Sequence, residues 1–165
     1  MTTDRINRKP IQNDENMTTD KTNTYVQHVI DEVSTWNQIT TGDGRFKSDA
    51  FTLSSSSREI GHIHRWGAVD IGFPRSIRDQ LLAEGKTGPH HILPNSGATT
   101  LYIKTEADVE RALWVLRFSY LYQVNRLQHT LDDRNDSKLA EIDVEAGLQD
   151  LGVSDDLRTA IERTV

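Results

Sequence analysis

Four of the six histidines in this 165-residue sequence lie between positions 62 and 91. His62 and His64 stand two residues apart in a segment, 58–65, that is typical of a β-strand, so both side chains should leave the same face of a sheet. Paired imidazoles on one face can bind a metal, relay protons or hold an anionic oxygen. The plainer alternative is a pair of half-buried histidines that hydrogen-bond to the backbone, and an isolated pair fits that alternative more often.

A second pair, His90 and His91, lies in a loop over residues 86–97 that is rich in Gly, Pro, Asn and Ser. Neighbouring loop residues point in different directions, so one of the two is expected to join the face of the first pair. A third imidazole would complete the kind of set that zinc and non-haem iron sites use. Asp70, on the next predicted strand, could be a carboxylate ligand or an acceptor that orients an imidazole. The candidate metal ligands are therefore His62, His64, His90, His91 and Asp70.

Three further side chains near the histidines have both a functional and a structural interpretation. Glu59 could act as an acid–base group if it is buried, although pairing with Arg58 or Arg75 at a strand edge is the commoner role. Trp66 could line an apolar pocket for a ligand. Ser96 could contact a ligand, but it lacks the Gly-x-Ser-x-Gly surroundings of an activated nucleophile, which favours a turn there.

Alternating helix and strand signals indicate the elements that must position these residues. The predicted elements are a helix over 23–36, a turn over 41–44, a strand over 45–54, a hairpin of strands over 58–65 and 68–73, a helix from Pro74 to Gly85, a strand over 98–104, and a long helix from Thr105 to about Leu127. This order predicts an α+β fold in which helices pack on a small antiparallel sheet.

The two ends of the chain differ in composition from this central domain, which we assign to residues 23–127. Residues 1–22 contain almost no apolar side chain and are predicted to form a disordered tail, because they cannot offset the entropy lost on ordering. Residues 128–165 are predicted to be a linker and an accessory helical tail. Its apolar residues could dock a partner or a second copy of the chain: Leu148, Leu151, Val153, Leu157 and Ile161.

Composition excludes several classes of function. The net charge is −6 and the isoelectric point is near 5.5, with no cluster of Lys or Arg, which argues against nucleic-acid binding. The absence of cysteine excludes disulfides, thiolate metal sites and a cysteine nucleophile. No segment reads as a signal peptide or approaches the ~20 apolar residues that cross a bilayer. A cytoplasmic protein with a small-molecule ligand and no membrane partner is therefore expected.

The segments around the histidines resemble the luciferase-domain family. The resemblance rests on Arg-Glu-Ile-Gly-His-Ile-His at 58–64, Val-Asp-Ile at 69–71 leading into Phe-Pro-Arg at 73–75, Pro-His-His at 89–91, and Leu-Pro-Asn-Ser-Gly at 93–97. It extends over roughly residues 24–125 and leaves both tails unmatched. That family consists mostly of small uncharacterised proteins and includes the fungal luciferases.

The resemblance implies a site and, more loosely, a chemistry. Its implied site residues are Glu59, His62, His64 and His90. Fungal luciferases oxygenate a hydroxypyrone luciferin with molecular oxygen and need no known metal or added organic cofactor. This sequence departs from them at Asp70, where they have histidine, and at Ala98, where tryptophan is common, and it shows no counterpart of their membrane anchor. We therefore expect a shared fold and site, but not light emission.

Three hypotheses about function follow. The first is an oxygenase-like enzyme for a small aromatic or enolic substrate, in which His62 or His64 takes a proton and His90 holds the resulting oxyanion. The second is a metalloprotein in which the histidines and a carboxylate bind a divalent ion that activates water or oxygen. The third is a non-catalytic binding or interaction module whose histidines are structural. The cofactor is accordingly either none or a divalent metal.

Overall fold

The computed structural model describes residues 12–44, 47–130 and 137–164, without the side chains of residues 12–16 and 137. The helices in these ranges are α1 (Gln12–Ser34), α2 (Arg75–Ala83), α3 (Glu106–Thr130), α4 (Ser137–Ala140), α5 (Val144–Asp150) and α6 (Asp155–Glu162). The strands are β1 (Ile39–Asp43), β2 (Ser48–Leu53), β3 (Glu59–His64), β4 (Ala68–Gly72), β5 (Gly88–Pro89) and β6 (Ala98–Tyr102).

One antiparallel sheet joins all six strands in the order β1-β2-β3-β4-β6-β5. Helix α3 packs against β3 and β4, and the Ser119 hydroxyl donates to the Ile60 carbonyl at 2.7 Å. Helices on a small antiparallel sheet are the α+β architecture that the order of elements predicted, and this fold class is confirmed. Within the described ranges, no helix is both long enough and apolar enough to cross a membrane.

The long helix α3 begins at Thr-Glu-Ala-Asp, residues 105–108, a sequence that is typical of a helix N-terminus, with Asp in place of the Glu of a capping box. The Asp108 carboxylate accepts hydrogen bonds from the backbone amides of Lys104 and Thr105, each at 3.0 Å, and the Thr105 hydroxyl accepts from the Asp108 amide at 3.3 Å. These reciprocal bonds satisfy amides that the first turn of a helix leaves without a partner. Buried residues of α3, such as Leu116 and Phe118, then form the centre of the core.

The N-terminal helix begins earlier than the composition indicates. Helix α1 starts at Gln12, inside the segment predicted to be disordered, and residues 1–11 lie outside the described part of the chain. Its apolar stripe, Val26, Val29 and Val33, is fully buried, while residues 17–21 are exposed. Extending a helix that is already nucleated needs far less favourable sequence than starting one, so packing near the C-terminal end supports the polar turns before it.

Three strands differ from the sequence-based prediction, and one of them, β5, lies inside the loop predicted over 86–97. The Thr-Gly-Asp-Gly segment at 41–44 was predicted to be a turn, but most of it belongs to β1, which pairs in register with β2 from Ile39 with Leu53 to Asp43 with Asp49. The start of the strand predicted over 45–54, Arg45-Phe46, lies outside the described residues. Gly and Asp are depleted in strands, and pairing along a neighbouring strand overrides that local preference.

The C-terminal helices pack on the main core. Among the apolar residues that could have docked a partner, Leu148, Val153, Leu157 and Ile161 are buried within the chain itself, and Leu151 is partly buried. The Trp114 indole of α3 donates to the Leu151 carbonyl at 2.8 Å, which ties the segment between α5 and α6 to the long helix. The apolar face of the predicted tail is therefore used internally.

Candidate functional site

Six of the sequence-predicted site residues meet with Thr100 on one face of the sheet. We call this group the open-face cluster and define it as Glu59, His62, His64, Asp70, His90, His91 and Thr100. Antiparallel pairing places His62 opposite Asp70, and Asp70 opposite Thr100, in one row across β3, β4 and β6. Directly opposed residues of neighbouring strands point to the same face. The register therefore brings together side chains that are up to 38 positions apart in the chain.

A β-bulge decides which residues of β3 reach this face. Phe51 of β2 pairs with Gly61 and Thr52 pairs with Glu59, so Ile60 is the extra residue between two paired positions. Strict alternation predicts that Ile60 shares the face of His62 and that Glu59 points away. The opposite holds: Ile60 is buried in the core, and Glu59 contacts His62 through an oxygen 2.6 Å from Nδ1. An inserted residue shifts the alternation by one, which places the glutamate beside the histidines.

The loop that carries His90 and His91 is held over the face from two sides. Strand β5 ends at Pro89, which pairs with Thr99 of β6, so the histidines follow directly from the sheet edge. From helix α2, Arg78 donates to the Pro94 carbonyl, and Arg75, which does not pair with Glu59, donates to the Asn95 carbonyl. At the far end, a Cβ on Gly97 would lie 2.0 Å from the Phe73 carbonyl oxygen, so only glycine permits this close approach.

Asp70 is the centre of the cluster, and four imidazoles surround its carboxylate. Its Oδ2 atom lies 3.0 Å from His64 Nε2, 3.5 Å from His62 Nε2 and 3.7 Å from His90 Nε2. Its Oδ1 atom accepts a hydrogen bond from the Thr100 hydroxyl at 2.5 Å and lies 3.4 Å from His91 Nδ1. Only 3% of Asp70 is exposed, so these contacts replace the water that a buried carboxylate loses.

The charges in the cluster follow from these contacts. Hydrogen bonds to Asp70 and then to Glu59 raise the pKa of His62 to about 9, although partial burial opposes this. Burial alone would raise the pKa of Asp70, but hydrogen bonds from His62, Thr100 and His64 hold that pKa below its usual range. In the absence of any bound ion, His62 is therefore a cation and Asp70 an anion at neutral pH.

The hydrogen-bond pattern assigns the protons of His91. The single proton of the Thr100 hydroxyl is used in the short bond to Asp70, so the same oxygen accepts from the His91 amide at 3.1 Å and from His91 Nδ1 at 3.0 Å. Both neighbours of Nδ1 are acceptors, which requires the proton to lie on Nδ1. The lone pair of the neutral ring then lies on Nε2, and 22% of this side chain is exposed.

His90 has the opposite tautomer. Its Nδ1 atom accepts from the backbone amides of Ile92 and Leu93, at 3.2 and 3.1 Å, so the ring proton lies on Nε2. Burial is the main reason that the pKa of His90 is lowered, although the Asp70 charge opposes this effect. The ring stacks on His91 with centroids 4.6 Å apart. His90 thus offers an N–H donor from a ring that stacks on His91.

Aromatic and aliphatic side chains surround the polar centre. The Trp66 indole stacks on His64 at 5.4 Å, meets the edge of His91 at 5.7 Å and remains 56% exposed. Tyr102 is also exposed and lies 6.0 Å from Trp66, while Ile92 and Leu93 are exposed on the loop. Large apolar side chains that are exposed together around a polar centre are typical of a ligand-binding surface.

Not every predicted site residue contributes a free functional group. The Ser96 hydroxyl donates to the Leu93 carbonyl at 2.7 Å and accepts from the Ala98 amide at 3.1 Å, which is the structural role of a turn residue. Thr100 was not predicted, although it contacts both Asp70 and His91. Its position opposite Asp70 is the only signal that could have identified it, and that register is not visible in the sequence.

A separate groove lies elsewhere in the molecule. This groove, of about 900 Å³, runs between the end of α3 and the C-terminal helices, beside His129, Ile142 and Leu148. The ion pair of Glu145 with Arg158 borders it, and no second imidazole or buried carboxylate converges there among the described residues. We therefore place the chemistry at the open-face cluster, where ionisable groups lie close together and their pKa values are perturbed.

The fold and the cluster define the class: an α+β protein with a histidine–carboxylate site on one face of an antiparallel sheet. A family model described as "Luciferase domain" matches residues 57–119, a segment that contains every member of the cluster. This match confirms the resemblance to the luciferase-domain family over residues 57–119. No curated protein and no solved structure matches the chain.

Proposed function

We propose that this protein is an enzyme for a small molecule with an acidic O–H group or an acidic C–H group beside a carbonyl. The observation that carries the proposal is a chain of two hydrogen bonds, from the Thr100 hydroxyl to Asp70 and from His91 Nδ1 to the Thr100 oxygen. These bonds leave the lone pair on Nε2 of the partly exposed His91 ring available. A carboxylate that holds an imidazole in one tautomer is the arrangement of a general base.

His90 provides the complementary group. Removing a proton from an enol or from a carbon acid leaves negative charge on an oxygen, and that oxygen needs a hydrogen-bond donor. The Nε2–H group of His90 is fixed as a donor by the two backbone amides that bind its other nitrogen. Because the two rings stack, a base and an oxyanion donor lie side by side at the same surface.

His62 and His64 contact Oδ2 of Asp70, whereas Thr100 contacts Oδ1 of the same carboxylate. Both Nε2 atoms face Asp70 Oδ2, and Glu59 holds the other nitrogen of His62. Their part in the reaction is to keep Asp70 ionised and fixed, so that it orients His91. This assignment gives the proton transfer to His91, whereas the motif alone suggested His62 or His64 as the base.

The substrate class follows from the surroundings. Trp66 and Tyr102 offer exposed aromatic faces, and planar rings stack favourably on such faces at centroid distances of about 4.5–7 Å. A planar enol or phenol would place its ring against them and its oxygen at His90. The oxygenase-like outcome that the family resemblance implies requires the resulting enolate to react with dioxygen.

Activity measurements on matched variants test this proposal. Purified protein is screened for conversion of 4-hydroxy-2-pyrones and related phenols, with oxygen uptake and absorbance recorded together. We expect His91→Asn to lower turnover by about 10²- to 10⁴-fold, the usual contribution of a general base. His129→Asn, an exposed histidine near the end of α3, is the control and should leave turnover unchanged.

Two outcomes would contradict the enzyme proposal. The base is misassigned if His91→Asn converts a substrate at the rate of the unmodified protein. If compounds bind at the cluster, as shifts of its histidine resonances would reveal, and none is ever converted, a non-catalytic small-molecule-binding module becomes the better description. The exposed apolar side chains around the cluster serve that alternative equally well.

A further inference from the structure

We infer that His62, His64 and Asp70 form a binding site for one divalent transition-metal ion, with two imidazole nitrogens and one carboxylate oxygen as its protein ligands. The inference goes beyond the proposed reaction and does not depend on it, because it concerns the Oδ2 side of Asp70, whereas His91 acts on the Oδ1 side. It is carried by three observations: the spacing of the ligand atoms, their outer hydrogen-bond partners, and the tautomer of His90.

The three ligand atoms already have the spacing of a coordination sphere. His64 Nε2 and His62 Nε2 lie 3.0 and 3.5 Å from Asp70 Oδ2, and the three atoms lie within 4.8 Å of one another. Bonds of about 2.0–2.1 Å to zinc separate neighbouring ligands by about 2.9–3.4 Å in octahedral or tetrahedral geometry. An ion could therefore enter with only small movements of the side chains.

Two of the three ligands have the outer partners that metal ligands usually have. Glu59 holds Nδ1 of His62 at 2.6 Å, which directs Nε2 toward Asp70, and the Thr100 hydroxyl holds the non-coordinating oxygen of Asp70 at 2.5 Å. A carboxylate behind a ligating histidine fixes the ring and strengthens its basicity. Such partners are what distinguishes a built site from a chance cluster of side chains.

The tautomer of His90 limits the ligand set to three. Its Nε2 atom lies 3.7 Å from Asp70 Oδ2, so distance alone would include it. Its Nδ1 atom, however, accepts from two backbone amides, which leaves the proton on Nε2 and no lone pair for a metal. His90 instead presents a donor to whatever occupies the remaining coordination positions.

The ligand types define the class of ion. Two imidazoles with one carboxylate suit zinc, iron(II), cobalt(II) or manganese(II), and do not suit calcium, which takes six to eight oxygen ligands. With three protein ligands, the ion keeps open positions for water or for an oxygen of a bound molecule. His64 is nine-tenths buried, so the ion would be shielded from solvent on that side.

Titration with a metal alone tests the site without any substrate. Untagged protein is stripped with a chelator and titrated with Co²⁺, followed by visible absorption, and with Zn²⁺, followed by calorimetry. We expect one ion per chain. We expect His62→Ala to weaken binding by more than about 100-fold, because changing only an outer partner costs about 10- to 100-fold. Glu59→Gln should weaken binding within that smaller range.

Three further variants separate the metal ligands from histidines that do not bind the ion. His28→Ala removes an exposed histidine on α1 and should bind as the unmodified chain does. His90→Ala should also retain binding, because His90 is assigned as a donor. His64→Ala should lose it, and circular dichroism checks that this variant is folded. Since His62 is partly exposed, its variant keeps the test decisive even if the buried substitution unfolds the protein.

Each result has one meaning. Binding of less than about 0.1 ion per chain by the unmodified protein, or equal affinity in His62→Ala, overturns the metal site. Loss of binding in His90→Ala overturns the three-ligand assignment. The proposed reaction is judged separately, because His91→Asn should bind Co²⁺ normally while it loses turnover.

Discussion

Strands β3 and β4 pair through two adjacent rows of residues, one apolar and one ionisable. Ile63 pairs with Val69, and both are buried in the apolar core with α3. The next row, His62 with Asp70, lies on the other face and carries the ionisable cluster. One residue along each strand therefore separates the part of the sheet that stabilises the fold from the part that can do chemistry.

Burial does not distinguish these two faces. Asp70 is 3% exposed and Val69 is 1% exposed, so both are removed from water. What differs is how the cost of burial is offset. Val69 gains from leaving water, whereas the Asp70 carboxylate must replace its water with donors, and Thr100 and the imidazoles supply them. We call the face of the sheet that packs against α3, with Ile63 and Val69, the covered face, and the face that carries the open-face cluster the open face. The comparison predicts that the covered face tolerates no loss of side-chain volume and that the open face tolerates no loss of a hydrogen-bond donor.

The largest expected effect lies on the covered face. Leu116 of α3 is fully buried, and Leu116→Ala should lower the free energy of unfolding by about 2–5 kcal/mol, because the cavity it leaves cannot collapse completely. Urea denaturation measures the change. Ile92→Ala, on the loop beside the cluster and 69% exposed, is the control and should change stability by about 0.5 kcal/mol or less. Equal losses would remove the distinction between the faces.

Adding volume to the covered face should also be costly. A Cβ on Gly61 would lie 2.8 Å from Leu116 Cδ2 and 2.9 Å from Ile71 Cγ1. We expect Gly61→Ala to destabilise the protein by about 1–3 kcal/mol, the usual cost of overpacking. Gly61 also has a positive φ, so Gly85, which has a φ of +67° and nothing within 4 Å of its Cβ position, is the control for backbone strain without close packing. If Gly85→Ala is as harmful as Gly61→Ala, close packing is not the cause.

Removing one donor from the open face sharpens the comparison. Thr100→Val keeps the shape of the side chain but deprives the buried Asp70 oxygen of its hydrogen bond, and it also removes the oxygen that accepts from the His91 amide and His91 Nδ1. We expect a loss of about 1–2 kcal/mol in the free energy of unfolding, since an unsatisfied buried acceptor costs that much. Thr52→Val, at a half-buried position of β2, is the control and should be close to neutral. A neutral Thr100→Val would show that water replaces the lost donor.

The smallest effect is the pH dependence contributed by His62. Its pKa in the metal-free folded protein is raised to about 9 from an ordinary 6.5, so the folded state holds the proton more tightly than the unfolded state. This contribution to stability is complete below pH 6.5 and is lost as the pH rises through about 9. Glu59→Gln should lower the pKa of His62 and flatten that decline.

Proton NMR of the His62 ring measures this pKa directly, and chemical denaturation at several pH values measures the decline. Glu110→Gln, an exposed substitution on α3, is the control for the loss of a negative charge. An unchanged His62 titration in Glu59→Gln would mean that Asp70 alone holds the proton, and that the short contact to Glu59 has little energetic weight.

The sequence predicted best those elements whose local signals are strong. Helix α3 has an apolar periodicity, and its Thr105–Asp108 cap forms as expected. The hairpin of β3 and β4 also lies where the alternating segments indicate. Prediction failed at the start of α1 and at β1, where polar residues carry little local preference. There the neighbours decide: the Ser34 and Thr41 hydroxyls, for example, lie 2.7 Å apart between α1 and β1.

The site shows the same limit at the level of single residues. The spacing of His62 and His64 placed them on one face, as the structure does, because a two-residue step is a local property of a strand. Glu59 was expected on the other face, and the bulge at Ile60 reversed it. A bulge depends on how β2 pairs with β3, so no pattern within β3 alone reveals it.

By itself, the sequence determined the residue types, the shared face of the His62–His64 pair and the segment that matches the luciferase-domain model. Only the tertiary structure decided that Asp70 lies between that pair and His91. The physical reason is that hydrogen bonds require contact within about 3.5 Å. Strand register and loop packing set contacts at that scale between distant segments, and with them the charge and tautomer of each imidazole.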